Sequence, residues 1–327
     1  MRSAGMARVT LKTIAQETGL TVAAVSMALR GKPGVSEATR GKVEAVAKRL
    51  GYEPDPALHV LTDLRWGREG RRKAPNMAVY TEKKNWSPFF REVATGIEKA
   101  ARELGYGLEL ICEERYPDPR RLARLIKARG VSAVLIGFHG NNPTWQPQLD
   151  LADFSAVAIG SAPRGWPTHQ VRLNFFQIME LAWEEVRALG YRRIGYCHSA
   201  GKPPAEVDVR RLSFYQYIQD TVVPVGDRIP AINILTWDAD AFQRWLEEWQ
   251  PDAVISSIGS RSEEMTALLA RTPLFSLNTD GGIPGIDRSP AQVGVSAVRF
   301  ADTLYRQGER GLPPTPNILL ISGRWVG

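Results

Sequence analysis

Apolar positions near the start of the chain recur at helical spacing, punctuated by capping residues and breakers. Leu11, Ile14 and Ala15 share one face behind Thr10, whose hydroxyl suits a helix N-cap. Gly19 ends that run, because glycine tolerates the left-handed conformation that follows a helix. Thr21 caps a second helix that continues through Val25 and Leu29 to about Arg30, and Gly31 and Pro33-Gly34 break the chain again. Ser36 opens a third helix with Val43, Val46, Ala47 and Leu50 as its stripe and Gly51 at its end. Three short helices with one apolar seam make a helix-turn-helix bundle. Asp55 and Pro56 then start a segment of about two turns carrying Leu58, Leu61 and Leu64, too short to persist alone and in need of a partner. The plainer reading of those leucines is a short core stripe.

The texture changes after a basic, glycine-bearing linker, Arg65 to Pro75. Short apolar runs alternate with amphipathic stretches. The pattern predicts strands at 77–80, 108–112, 133–137, 156–159, 171–174, 193–196, 232–235, 253–256, 274–277 and 318–321. It predicts helices at 88–104, 118–129, 175–190, 207–220, 239–249, 261–270 and 295–307. Such alternation implies parallel sheets covered on both faces, and the pattern starts afresh near residue 174. The expected fold is an all-α helix-turn-helix headpiece followed by an α/β body of two doubly wound parallel-sheet lobes. The boundaries are 1–56 for the headpiece, 57–75 for the hinge helix and linker, and 76–327 for the body. Lobe one takes about 76–172 and 295–314; lobe two takes about 173–294 and 315–327.

Charge sharpens the reading of the first segment. Residues 1–73 hold 14 Lys+Arg and 7 Asp+Glu, whereas the rest of the chain holds 28 of each. The whole excess of the +7 chain therefore lies on the small N-terminal part, where it would neutralise phosphates and release counterions. Catalysis finds little support. His59, His139, His169 and His198 show no metal-ligand spacing, and Cys112 and Cys197 read as reduced core thiols. The loop Gly281-Gly-Ile-Pro-Gly285 lacks both the lysine of a phosphate loop and the spacing of a dinucleotide fingerprint, and reads as a crossover. No signal peptide or membrane span is visible, so the expectation is a cytoplasmic, nucleoid-associated protein with no cofactor, no metal and no enzymatic activity.

Residues 9–61 resemble the DNA-binding headpiece of the LacI/GalR (lactose-repressor) family of bacterial transcription regulators. The run that carries the likeness is Thr10-Leu-x-x-Ile-Ala-x-x-Thr-Gly-Leu-Thr, then Val25-Ser26, then Val35-Ser-x-x-Thr-Arg-x-Lys-Val, then Leu50-Gly-Tyr-x-Pro54. The resemblance implies that the start of the second helix lies in the major groove, with Val22, Ala23 and Met27 at base-reading positions. It puts Thr10, Thr21, Ser26, Arg30, Ser36 and Thr39 where side chains meet phosphate or base edge, and Leu61 at the minor-groove wedge of a hinge helix that pairs with a dimer mate. An arginine common in the family is replaced by Met27, so readout here leans on apolar contacts and DNA shape.

The body resembles the periplasmic-binding-protein-like effector domain of the same family, through Pro88-Phe-Phe, Gly96-Ile-Glu-x-Ala-Ala, Leu189-Gly-Tyr-Arg-Arg-Ile-Gly195, Pro251-Asp-Ala-Val and Val293-Gly-x-x-Ala297. The resemblance implies a small-molecule effector in the interlobe cleft, with Trp86, Phe89, Phe90, Asn174, Phe175, Arg211, Trp237 and Asn278 as candidate lining. The usual Asp-Asn after the crossover strand is Asn174-Phe175 here, and Ile258-Gly259 replaces the usual Asn-Asp, so the ligand is less polar, smaller or absent. The function implied is a homodimeric regulator, with repression the expected mode, on a pseudo-palindromic double-stranded operator. The competing readings are a solute-binding or enzymatic α/β protein with an incidental basic module, and a regulator without an effector.

Overall fold

Capping chemistry sets where the first helices start and stop. The computed structural model describes residues 9–29, 34–52, 75–82, 87–116, 118–137, 145–163, 165–201, 206–258, 263–269, 271–279 and 282–327. The chain divides into two units, Met1–Lys73 and Ala74–Gly327. In the first, α1 (Leu11–Thr18), α2 (Val22–Leu29) and α3 (Glu37–Leu50) pack pairwise. The Thr10 hydroxyl accepts from the Thr13 amide while the Thr13 hydroxyl accepts from the Thr10 amide, a reciprocal cap. Gly19 and Gly51 end α1 and α3 at φ of +71° and +66°. Ile14, Ala15, Val25, Ala28, Val43 and Ala47 form the buried seam; of the other positions that the periodicity picks out, Leu11, Leu29, Val46 and Leu50 pack against it only partly buried. Lys42 donates to the Thr18 carbonyl at 3.1 Å, a cation at the negative end of α1.

The second unit is built on two six-stranded sheets among the described residues. In the first, β1 (Asn76–Thr81), β2 (Gly107–Cys112), β3 (Val131–Ile136), β4 (Ser155–Ile159) and β5 (His169–Leu173) pair in parallel. Alternate residues face opposite ways. Met77, Val79, Ala133 and Leu135 pack with α4 (Pro88–Glu103) and α10 (Pro290–Gln307), whereas Ala78, Tyr80, Val134 and Ile136 pack with α5 (Pro119–Ala128). In the second sheet β6 (Ile194–His198), β7 (Ile232–Asn233), β8 (Ala253–Ser256) and β9 (Leu274–Ser276) are parallel. One face carries α6 (Phe175–Ala188) and α7 (Glu206–Thr221); the other carries α8 (Ala239–Trp249) and α9 (Glu263–Leu268). The elements expected from 77 to 277 are all present, their ends moved by at most two residues.

Three features depart from the sequence reading. Ile318–Ile321 (β11) does not join lobe two: it pairs in parallel with β5 and forms an edge of the first sheet. The second lobe takes β12 (Arg324–Val326) instead, antiparallel to β10 (Gly285–Asp287). Both short strands escape the periodicity rule because three residues carry no alternation to read, and β10 begins inside what reads as a glycine loop. The chain thus passes between the lobes at three places: Asn174, Arg288-Ser289 and Ser322-Gly323. These crossovers lie together. The Asn174 amide donates to the Ile321 carbonyl at 2.9 Å, and a Cβ on Gly323 would sit 2.4 Å from Ile286 and 3.1 Å from Ile178.

Candidate functional site

Two sets of residues carry chemistry, one in each unit. In the first, the N-terminal turn of α2 is presented to solvent: Thr21, Val22 and Ala23 are exposed, while Val25 and Ala28 on the opposite side anchor the helix in the core. Val22, at 45% exposure, is a large apolar side chain that packing within its own unit does not explain. Thr21 caps α2 by accepting from the Ala24 amide at 3.2 Å. Ser36 caps α3, accepting from the Thr39 amide at 3.3 Å and bonding the Thr39 hydroxyl at 2.8 Å. Thr10, Thr21, Ser36 and Thr39 therefore already do structural work, and each hydroxyl stays at an accessible helix end. Ser26 is half-buried on α2; Met27 is half-buried too, its Cε near Gly34. Arg30 and Leu61 lie outside the described residues, as does the hinge segment.

In the second unit the chemistry gathers where the carboxyl ends of β6, β8 and β9 meet the crossovers, the position open α/β sheets use for ligands. Arg211 on α7 is only 4% exposed. Its Nη2 donates to Asn278 Oδ1 at 3.0 Å, and the Asn278 amide donates in turn to the Ser257 carbonyl at 2.8 Å. The guanidinium lies 4.9 Å over the Phe175 ring, while its Nε has no hydrogen-bond partner. Burial lowers the Arg211 pKa, and the fields of Tyr196 and Asp208 oppose that, yet among the described residues no carboxylate forms an ion pair with it. The sequence brings forward Asn174, Phe175, Arg211 and Asn278, and the structure does bring the last three together.

A second arginine stands beside them that sequence reasoning missed. Arg288 sits on the second crossover with its guanidinium 4.5 Å over the Phe89 ring. Burial and the positive charge of Arg211 push its pKa down to about 10, with Glu92 and Asp287 opposing. Neighbouring Asp287 is already committed: its carboxylate binds Arg324 at 2.7 Å and accepts from the Ser289 amide at 2.7 Å. Ser289 itself adopts φ +50°, a conformation that costs a non-glycine residue about 1 kcal/mol or more, so the crossover is held rather than relaxed. A basic residue beside a proline-started helix was the one available signal.

The other candidates divide. Phe89 and Phe90 are half-buried at the start of α4, 5.4 Å apart edge to face. Asn174 spends its carbonyl capping α6, accepting from the Gln177 amide at 3.2 Å. Trp237 is half-buried with its ring 5.4 Å from Phe242, in the cluster under α8, which accounts for it as packing. Trp86 lies outside the described residues. His198 is 5% exposed, stacked on Tyr196 at 5.3 Å, and burial lowers its pKa. Cys112 and Cys197 are buried free thiols, and burial pushes Cys197 up to about 12, far from a nucleophile's range. Among the described residues no group of His, Cys, Asp and Glu could hold a metal ion, and no helix is long and apolar enough to cross a membrane.

Comparison with known proteins adds family and fold. The model for bacterial regulatory proteins of the lacI family matches residues 10–55. The model for periplasmic binding proteins and the sugar binding domain of the LacI family matches residues 77–257. The HTH-type transcriptional regulator RafR of Escherichia coli is 31% identical over 191 residues, which cover 56% of this chain and 53% of RafR. The chain spans about half the length of the curated relatives it matches. Two solved structures, the transcriptional regulator CelR–cellobiose complex and the Lac repressor dimer bound to operator and the anti-inducer ONPF, share the fold. They have TM-scores of 0.52 each at 19% and 16% identity, covering 98% of this chain and 99% and 98% of theirs.

Proposed function

Because the chain belongs to the LacI family of bacterial regulatory proteins, we propose that it is a sequence-specific DNA-binding transcription regulator, acting as a homodimer in the cytoplasm and controlled by a small molecule between its lobes. The observation that carries this reading is the capped helix pair whose second helix offers its N-terminal turn to solvent, on a segment holding the chain's entire net charge. Basic side chains supply non-specific phosphate affinity; the exposed Val22 and Ala23 reach for base edges such as thymine methyl groups. Leu61, as a minor-groove wedge, and Arg30, as a phosphate contact, complete the proposed interface. The relatives' names as transcriptional regulators support this over an enzymatic reading.

Closure of the lobes on an effector would shift the spacing of two headpieces on a two-fold operator, and the coupling would be reciprocal. The test is selection of bound sites from random double-stranded DNA by the purified full chain. A two-fold symmetric motif is the expected result; recovery of salt-sensitive binding with no motif would remove the sequence-specific reading. Val22→Glu sharpens it. A carboxylate in the first turn of α2 suits the helix dipole, so the fold is retained, while operator affinity falls at least about tenfold through repulsion from phosphate.

A further inference from the structure

Among the described residues, neither Arg211 on α7 nor Arg288 on the second crossover forms an ion pair. A buried ion without a counter-charge is costly, and proteins keep one where a ligand completes it. Each guanidinium carbon lies over a phenylalanine ring, Arg211 over Phe175 at 4.9 Å and Arg288 over Phe89 at 4.5 Å, contacts that use no N–H donor. Arg211 commits one Nη to Asn278 and leaves a buried Nε without an acceptor. Arg288 forms no hydrogen bond or ion pair among the described residues: Glu92 and Asp287 act on it through their fields, but Asp287 is bonded to Arg324 and to the Ser289 amide. The supports also come from both lobes: Phe89 is on α4 of the first, Arg211 on α7 of the second, and Arg288 on the crossover between β10 and α10.

We propose that the effector of this protein is a small organic anion, a carboxylate or a phosphate monoester, whose acidic group is clamped between Arg211 and Arg288 with Phe89 and Phe175 as the walls. The proposal rests on the effector reading above and names the ligand class for that site. Planar forks of N–H donors match carboxylate and phosphate oxygens bidentately, which a neutral polyol cannot exploit. It also replaces the expectation of a less polar ligand: the carboxamides and carboxylates usual in sugar pockets give way here to cations.

The test is thermal unfolding and calorimetric titration of the full chain with inorganic phosphate, D-gluconate, D-glucose 6-phosphate and D-glucose at matched ionic strength. Gluconate and glucose 6-phosphate keep the polyol of glucose and add one acidic group, so they separate the carboxylate from the phosphate source. A saturable rise in melting temperature of about 2–4 °C with an anion but not with glucose is expected. Arg288→Gln, a change at a partly exposed residue without a hydrogen bond, should weaken that binding at least about tenfold and leave the unliganded melting temperature in place. Arg211→Met should abolish it, but Arg288→Gln carries the test because Arg211 is buried. Silence toward all three anions overturns the proposal, as does anion binding that Arg288→Gln leaves within twofold. A response to glucose alone overturns it while leaving an effector cleft standing with a neutral ligand.

Discussion

At the scale of single residues, side chains near the crossovers answer to their immediate surroundings. Burial holds the His198 imidazole below its usual pKa, with Asp208 opposing in part, so the folded state keeps it neutral. The unfolded chain takes up a proton near pH 6.5, which the folded chain resists, so stability is full above that pH and declines as pH falls through it. His198→Phe keeps a ring against Tyr196 and removes the titration. Urea midpoints measured from about pH 5 to pH 7.5 should therefore slope less in the variant than in the parent, and parallel slopes would remove His198 as their source. Ser36 makes a similarly local prediction. Its hydroxyl caps α3, and Ser36→Ala should cost about 1 kcal/mol in the melting of the N-terminal unit.

At the scale of elements, the tightest joint is between α4 and α10. A Cβ on Gly96 would meet the Ala291 carbonyl oxygen at 1.9 Å, and one on Gly294 would meet the Val93 carbonyl oxygen at 2.1 Å. Both neighbours are backbone, so neither can turn aside. Gly96→Ala should destabilise the second unit by about 1–3 kcal/mol, seen as a lower denaturant midpoint at unchanged slope. A neutral result would mean that the helices separate freely. The same joint sets the approach of Phe89, two residues after the Ser87 cap of α4, toward Arg288, which lies just before α10.

At the scale of the whole molecule, the two units have separate cores of unequal size. The described part of the first unit, residues 9–29 and 34–52, is small, buries little surface and carries an unfolding enthalpy of roughly 28 kcal/mol, against several times that for the body. Calorimetry should resolve a small transition and a large one; a single transition would show that the units melt together. Linkage makes the regulatory reading quantitative. An anion that changes operator affinity by a given factor must have its own affinity changed by the same factor when operator is added, and unequal factors in paired titrations would mean that the cleft is not the coupled site.

Sequence alone determined what depends on neighbours in the chain. Thr10, Gly19, Ser36 and Gly51 set helix ends by hydrogen bonds and dihedral angles that span a few residues, and alternation along 77–136 told both covered faces of the first sheet. Tertiary structure decided what depends on partners far along the chain. Ile318–Ile321 is an apolar run that either sheet could accept, and only pairing with β5 assigns it to the first. Arg211 and Arg288 stand 77 positions apart in sequence and 4.9 and 4.5 Å over rings at 175 and 89. No local pattern reports that these two cations come near enough for one to act on the other while neither forms an ion pair among the described residues, because that arrangement exists only once distant segments have folded together.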